Sequence, residues 1–151
     1  MMPAAAPSRP AAPPPPARPP APEFKPADGA LQILGILQRE ARILDFFMED
    51  IDPYTDEQVG AAARDVHGKT RETLLRHFAP APLIDAVEGT ATNAADLDPA
   101  RVKYIGNVPA SGKPVSGILR HRGWRATAVS LPQLNSRQDL AVLAPAEIEV
   151  E

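Results

Sequence analysis

Proline sets the first limit on what this chain can fold into. Of its 19 prolines, 11 lie in residues 1–26, where Pro and Ala together make 18 of the 26 residues. The only large apolar side chains there are Met1, Met2 and Phe24. Such a stretch buries too little surface to offset the entropy of ordering it. Pro13 to Pro16 and Pro19-Pro20 favour polyproline II, so residues 1–26 read as a disordered, stiffly extended arm. Two uses stay open for it. Arg9-Pro10 and Arg18-Pro19-Pro20 suit a Pro-binding groove, and the composition suits a linker. A linker joins two things, so the arm is expected either to be a terminal spacer or to follow an N-terminal module.

Residues 27–151 are the folded part, about 125 residues, enough for one domain with roughly two thirds of its unfolded surface buried. No run of ~18 apolar residues is present, so no transmembrane helix is expected. The start, MMPAAAPSRP, lacks the apolar region of a signal peptide. With no cysteine there is neither a disulfide framework nor a thiolate zinc site. Cysteine-free composition suits a reducing cytoplasm.

Residues 28–78 carry a helical pattern. After Asp28, an N-cap candidate, Leu31, Leu34, Leu37, Ala41, Leu44, Phe47, Met48 and Ile51 recur at spacings of three and four. Ile33, Ile36, Ile43 and Phe46 widen this stripe, as in a helix covered on two sides. Asp52-Pro53 ends it. Thr55-Asp56-Glu57-Gln58 then reads as a capping box, with Thr55 as N-cap, Gln58 at N3, and Tyr54 and Val59 as a staple. Val59, Ala62, Val66, Leu74 and Phe78 continue this second helix until Pro80 and Pro82. The expectation is an antiparallel helical hairpin with the small residues Gly60 to Ala63 at its contact.

The helices offer little chemistry. His67 and His77 are ten residues apart, which on a helix places them about 80° and ~15 Å from each other, too far to share a metal. The acidic group Glu49, Asp50, Asp52, Asp56 and Glu57 lacks the glycine and ligand spacing of a calcium loop. Asp56 and Glu57 are accounted for by the helix dipole. No metal or cofactor is expected.

From Leu83 the pattern changes to short apolar stretches: Leu83 to Val87, Val102 to Ile105, Gly117 to His121, Trp124 to Leu131, Leu140 to Leu143 and Ile148 to Val150. Gly89, Asn93, Gly106-Asn107, Ser111-Gly112 and Gly123 punctuate them. The fold class is therefore α+β: a helical hairpin followed, over residues 83–151, by a small antiparallel sheet or partial barrel of about five strands. A hairpin is expected over Leu119 to Ala126 with Arg122-Gly123 as its turn. It would set His121 opposite Trp124 and Arg120 opposite Arg125, a like-charge pair that is mildly destabilising. Trp124, the sole tryptophan, reads as core because its strand alternates with small residues. Gly106 to Pro114, GNVPASGKP, is not a phosphate loop: five residues separate the glycines, and Pro114 takes the hydroxyl position and has no N–H. No nucleophile elbow or dinucleotide fingerprint occurs.

The net charge of −3 conceals a partition. Residues 27–98 hold six bases and 14 acids, whereas residues 99–138 hold seven bases and no acid. Those bases are Arg101, Lys103, Lys113, Arg120, Arg122, Arg125 and Arg137. Either the basic sheet is spent internally, against the acidic helices or Glu147, Glu149 and Glu151, or it is free to bind an anionic surface. Tyr104 and Trp124 are the only aromatic platforms in that stretch, and the domain is acidic overall, so nucleic acid is disfavoured.

The segments ALQILGILQREARILDFFMEDI, YTDEQVGAAARDVHGKTRETLLRHF, VKYIGNV, GILRHRGWRATAVSLPQL and VLAPAEIEV together resemble a bacterial family catalogued as domain of unknown function 2760. The resemblance runs from about Ala30 to Val150. Its motifs LLQREGRxxDFxxED and LxHRGWR are matched closely by GILQREARILDFFMED and LRHRGW, with Glu40 kept and Ala41 where glycine is usual. The family has no established activity, so the resemblance transfers no catalytic residue. Genes of the family often lie beside those of an Hsp70-like ATPase, which implies a chaperone-associated partner. Members often carry an apolar or amphipathic N-terminal segment before a Pro/Ala-rich linker, and this chain starts in the linker.

Two functions follow. The first is a non-enzymatic interaction module that docks an Hsp70-like protein or a client through the helix pair or the hairpin tip, with Arg120, His121, Arg122, Trp124 and Arg125 as partner-binding residues. The second is a small enzyme or ligand binder with a site between helices and sheet, where Glu40, Asp50, His67, His121 and the basic residues converge. Weak nucleic-acid binding through the basic hairpin is a third reading, marked by steep salt dependence.

Overall fold

The computed structural model describes residues 23–151. The arm expected over residues 1–26 therefore lies outside the described residues up to residue 22. Three helices, α1 (Pro26–Ala41), α2 (Ile43–Met48) and α3 (Asp56–Phe78), precede four short strands. These are β1 (Pro80–Pro82), β2 (Ala91–Asn93), β3 (Ser116–Ile118) and β4 (Trp124–Ala126). The class is α+β with small antiparallel sheets, as the sequence indicates.

α1 starts two residues earlier than Asp28. Pro26 occupies its first turn, where the missing N–H costs nothing. Asp28 sits at the third position and accepts the Lys25 backbone N–H at 2.7 Å. The long first helix expected from Asp28 to Asp52 is broken at Arg42, which adopts φ 54°, ψ 38°. The break has a local cause. Buried Gln38 turns its side-chain oxygen onto the freed N–H groups of Leu44 (2.9 Å) and Asp45 (3.4 Å), so the start of α2 is capped from α1. Ala41, at 0 % exposure, leaves no room for a larger side chain at this junction.

The capping box of α3 forms as its sequence indicates. Thr55 Oγ1 accepts the Gln58 N–H (3.3 Å), and Gln58 Oε1 accepts the Thr55 N–H (3.0 Å). α1 and α2 both pack on α3. Glu40, near the end of α1, meets Thr73 in the second half of α3. The start of α3 lies about 25 Å back along its axis from Thr73. The return run is thus made by the short α2 and residues 49–55, redirected at Arg42, rather than by one continuous helix.

The end of α3 is closed from a distance. Its last turn and Ala79 after it expose carbonyls that no helical N–H can reach. The His77, Phe78 and Ala79 carbonyls accept from the backbones of Ser130 (2.8 Å), Ala128 (3.4 Å) and Thr127 (3.3 Å). Ala79 takes a left-handed conformation, φ 41°, that turns the chain directly into β1.

The β half departs from its expected layout. It contains two separate two-stranded antiparallel sheets, β1 with β4 and β2 with β3, rather than one sheet of about five strands. Residues 119–126 do not form a hairpin. Trp124 stands opposite Pro82 and Arg125 opposite Ala81, while Ile118 pairs with Ala91 and Gly117 with Thr92. The physical reason is that both arms find non-local partners in residues 80–93, which removes the Arg120–Arg125 opposition. Gly123 is still needed in its left-handed conformation, φ 68°, but as the bend between the two sheets. A Cβ there would lie 3.3 Å from that of Leu83. Pro80 and Pro82, expected only as helix stops, are tolerated in β1 because a two-stranded ladder leaves one edge without hydrogen bonds to make. Residues 83–87, 102–105, 140–143 and 148–150 form no strand.

Buried apolar side chains are few: Ile36 and Ala41 among the helices, Ala94 and Leu119 in the β half. Among the described residues, no helix is long and apolar enough to cross a membrane.

Candidate functional site

The acid-free stretch of the sequence becomes one wall of a cleft. Its volume is about 470 Å³, within the range of small-molecule sites. Arg101, Lys103, Arg120 and Arg122 supply its charged lining with His121 beside them, and Leu83, Ile84, Leu97, Val102, Ile105 and Leu119 much of its apolar lining. No Asp or Glu lines it, no helix residue does, and no residue beyond Gly123 does.

Three contacts shape this cleft. Tyr104 donates its hydroxyl to the Ala94 carbonyl at 3.2 Å, which ties residues 101–108 to the end of β2. The Leu119 N–H donates to Thr90 (3.0 Å) and its carbonyl accepts from Gly89 (2.7 Å), fixing the chain between β3 and the bend. Glu88 accepts the Arg122 backbone N–H at 2.9 Å, so an acidic side chain is spent on the main chain and leaves the guanidinium unneutralised. His121 Nδ1 accepts the Gly123 N–H at 3.3 Å, which puts the proton of the neutral ring on Nε2.

The cations remain unpaired. Among the described residues, none of Arg101, Lys103, Lys113, Arg120, Arg122, Arg125 and Arg137 lies within ion-pair distance of a carboxylate. All are exposed except half-buried Arg122. The basic stretch is therefore not neutralised by the acidic helices or by Glu147, Glu149 and Glu151. Thr92 Oγ1, in the wall formed by β2, is buried without a hydrogen-bond partner.

Of the five residues expected to bind a partner, Arg120, His121 and Arg122 line the cleft, while Trp124 and Arg125 lie beside it on β4. Trp124 is not a core residue: with β4 paired only to the proline strand β1, it is 64 % exposed. The second constellation does not assemble. Glu40 ends α1, Asp50 follows α2, His67 is exposed in the middle of α3, and only His121 reaches the cleft.

Glu40 instead belongs to a cluster that joins the two halves of the fold. Its Oε2 accepts from Thr73 Oγ1 (2.9 Å) and from Arg76 (3.0 Å), and its Oε1 lies 3.6 Å from His77 Nε2. On the other side of the ring, His77 Nδ1 is 2.6 Å from the Ser130 carbonyl. A carbonyl only accepts, so Nδ1 carries a proton. Burial acts to raise the Glu40 pKa, but the Thr73 hydroxyl, the Arg76 guanidinium and His77 together hold it below its ordinary value. Thr73 and the His77–Ser130 pairing carried no signal in the sequence, because each depends on contacts more than 30 residues apart.

Comparison with curated proteins and with solved structures gives no match. A family model does match, over residues 26–149, from the first residue of α1 to the acidic tail, and its description is Domain of unknown function (DUF2760). The chain belongs to that family.

Proposed function

We propose that this protein is a non-enzymatic interaction module that holds an acidic, extended segment of a partner protein in the basic cleft. One observation carries the reading: four cations and a histidine converge on an apolar bed with no carboxylate among them. Unneutralised positive charge over apolar surface is costly to keep in isolation and useful for steering and seating an anionic partner. Arg120, His121 and Arg122 make the contacts inside the cleft. Exposed Trp124 and Arg125 extend the docking strip along β4, since an accessible tryptophan and arginine are the residue types that dominate binding energy at interfaces.

The gene neighbourhood of the family suggests an Hsp70-like ATPase or its client as this partner, in the cytoplasm. Small-molecule catalysis gains no support from the separate positions of Glu40, His67 and His121. Nucleic acid is disfavoured by the single aromatic side chain, Tyr104, among the cleft residues.

The test is co-purification with the neighbouring Hsp70-like protein, comparing wild type with Arg120→Glu/Arg125→Glu. Binding by wild type and its loss in a double variant with unchanged helical circular dichroism is expected. Undiminished binding by the folded variant removes the cleft and strip from the interface. No binding by either protein removes this partner.

A further inference from the structure

The same chain carries a segment with the complementary chemistry. Residues 147–151 read Glu-Ile-Glu-Val-Glu. In extended backbone, successive side chains point to opposite faces, so Ile148 and Val150 share one face and the three glutamates the other. Here that segment joins no strand, and Ile148 and Val150 are 85 % and 86 % exposed. Its glutamates make no ion pair among the described residues. Its sequence has the alternation of an amphipathic strand, but it has no sheet to join.

The cleft is its counterpart. It offers apolar surface for two aliphatic side chains and four cations for three carboxylates. β3, in its wall, is paired only with β2 and so keeps one edge of free backbone donors and acceptors. An added strand is the usual occupant of such an edge. We propose that the cleft binds residues 147–151 of a second copy of this chain, and that two copies exchange these segments reciprocally. The proposal rests on the reading of the cleft as a dock for an acidic extended segment and names its occupant. The chain's own segment does not fill the cleft: no residue beyond Gly123 lines it, and residues 132–142 lie instead against α1, with Gln32 bonded to the Pro132 carbonyl. A reciprocal exchange closes as a two-fold dimer and leaves no sticky end.

The test is the mass in solution of the full chain, by light scattering after size exclusion, at about 0.05 M and about 0.5 M salt. Wild type is expected to be dimeric at low salt and to dissociate at high salt. Two full-length variants, Arg120→Glu/Arg122→Glu and Ile148→Asp/Val150→Asp, are each expected to be monomeric with wild-type helical content. An equimolar mixture of the two is expected to form a heterodimer weaker than the wild-type dimer, held by one of the two contacts, since one variant keeps its strand and the other its cleft. If the arginine variant fails to fold, Lys103→Glu replaces it.

A wild type that stays monomeric at low salt overturns the proposal, including the case where its own segment folds back and resists proteolysis. So does an Ile148→Asp/Val150→Asp variant that stays dimeric. A labelled peptide of residues 144–151, titrated against that variant by fluorescence anisotropy, separates the two readings. Arginine-dependent peptide binding with a monomeric wild type overturns the exchange and leaves the module reading standing. Failure of this peptide and of an unrelated alternating Asp/Leu peptide to bind overturns both.

Discussion

His77 Nδ1 and the carbonyl oxygen of Ser130 approach to 2.6 Å across 53 residues of sequence, and the Ser130 N–H donates back to the His77 carbonyl at 2.8 Å. This reciprocal pair closes the end of α3 and fixes the segment that follows β4. A buried ring that donates on one side and faces Glu40 on the other is hard to replace.

His77→Ala is therefore expected to destabilise the fold by about 1–3 kcal/mol, because it removes a buried ring, opens a void and breaks the bond to the Ser130 carbonyl. Urea unfolding measures this. Amide exchange should show the loosening concentrated at residues 127–130 while the middle of α3, residues 62–67, stays protected. Uniform loosening of the whole chain would count against a local clamp.

The Glu40 cluster gives the fold an acid-sensitive component. Its carboxyl has a folded pKa below the unfolded value near 4.5. Such a group contributes stability that is complete above the unfolded pKa and lost as pH falls through the folded one. The urea midpoint of wild type should fall on going below about pH 4.5. Glu40→Gln should start lower at neutral pH and show a shallower fall. Parallel curves for the two proteins would remove Glu40 from the acid transition.

Thr55→Ala removes the side-chain acceptor for the Gln58 N–H and is expected to cost about 1 kcal/mol. Thr55→Ser should recover most of it. Equal stability of the alanine and serine variants, read from thermal midpoints, would show that the cap does not hold α3.

Arg42 occupies the left-handed region at φ 54°, where a side chain costs about 1 kcal/mol and glycine costs less. Its ion pair with Asp45 is exposed and contributes little. Arg42→Gly should be neutral to slightly stabilising, whereas Gly123→Ala, at φ 68° and against Leu83, should destabilise. A strongly destabilised Arg42→Gly would mean that this side chain does more than the bend requires.

What was legible in the sequence follows from which interactions are local. The capping box at Thr55 was legible because both of its partners lie within three residues. The break at Arg42 was not, because an arginine carries no turn signal and the cause is the side chain of Gln38, which reads as an ordinary helical residue. The hairpin over residues 119–126 was misread for the opposite reason: Arg122-Gly123 is a good local turn signal, and non-local pairing with residues 80–93 outcompetes it. β1 was hidden by its two prolines. The basic wall was visible as a stretch without acids, but its assembly into a cleft depends on the Tyr104–Ala94 and Glu88–Arg122 contacts, which no periodicity encodes.

The distant closure of α3 also sets an order of events during synthesis. When residue 79 leaves the ribosome, the carbonyls of His77, Phe78 and Ala79 have none of the chain partners that close them in the finished fold. They stay hydrated until residues 127–130 emerge about fifty residues later. The cleft-forming segment lies wholly inside that interval, so it is handed to the cell as an open loop tethered at one end. It becomes a wall only when the second end arrives.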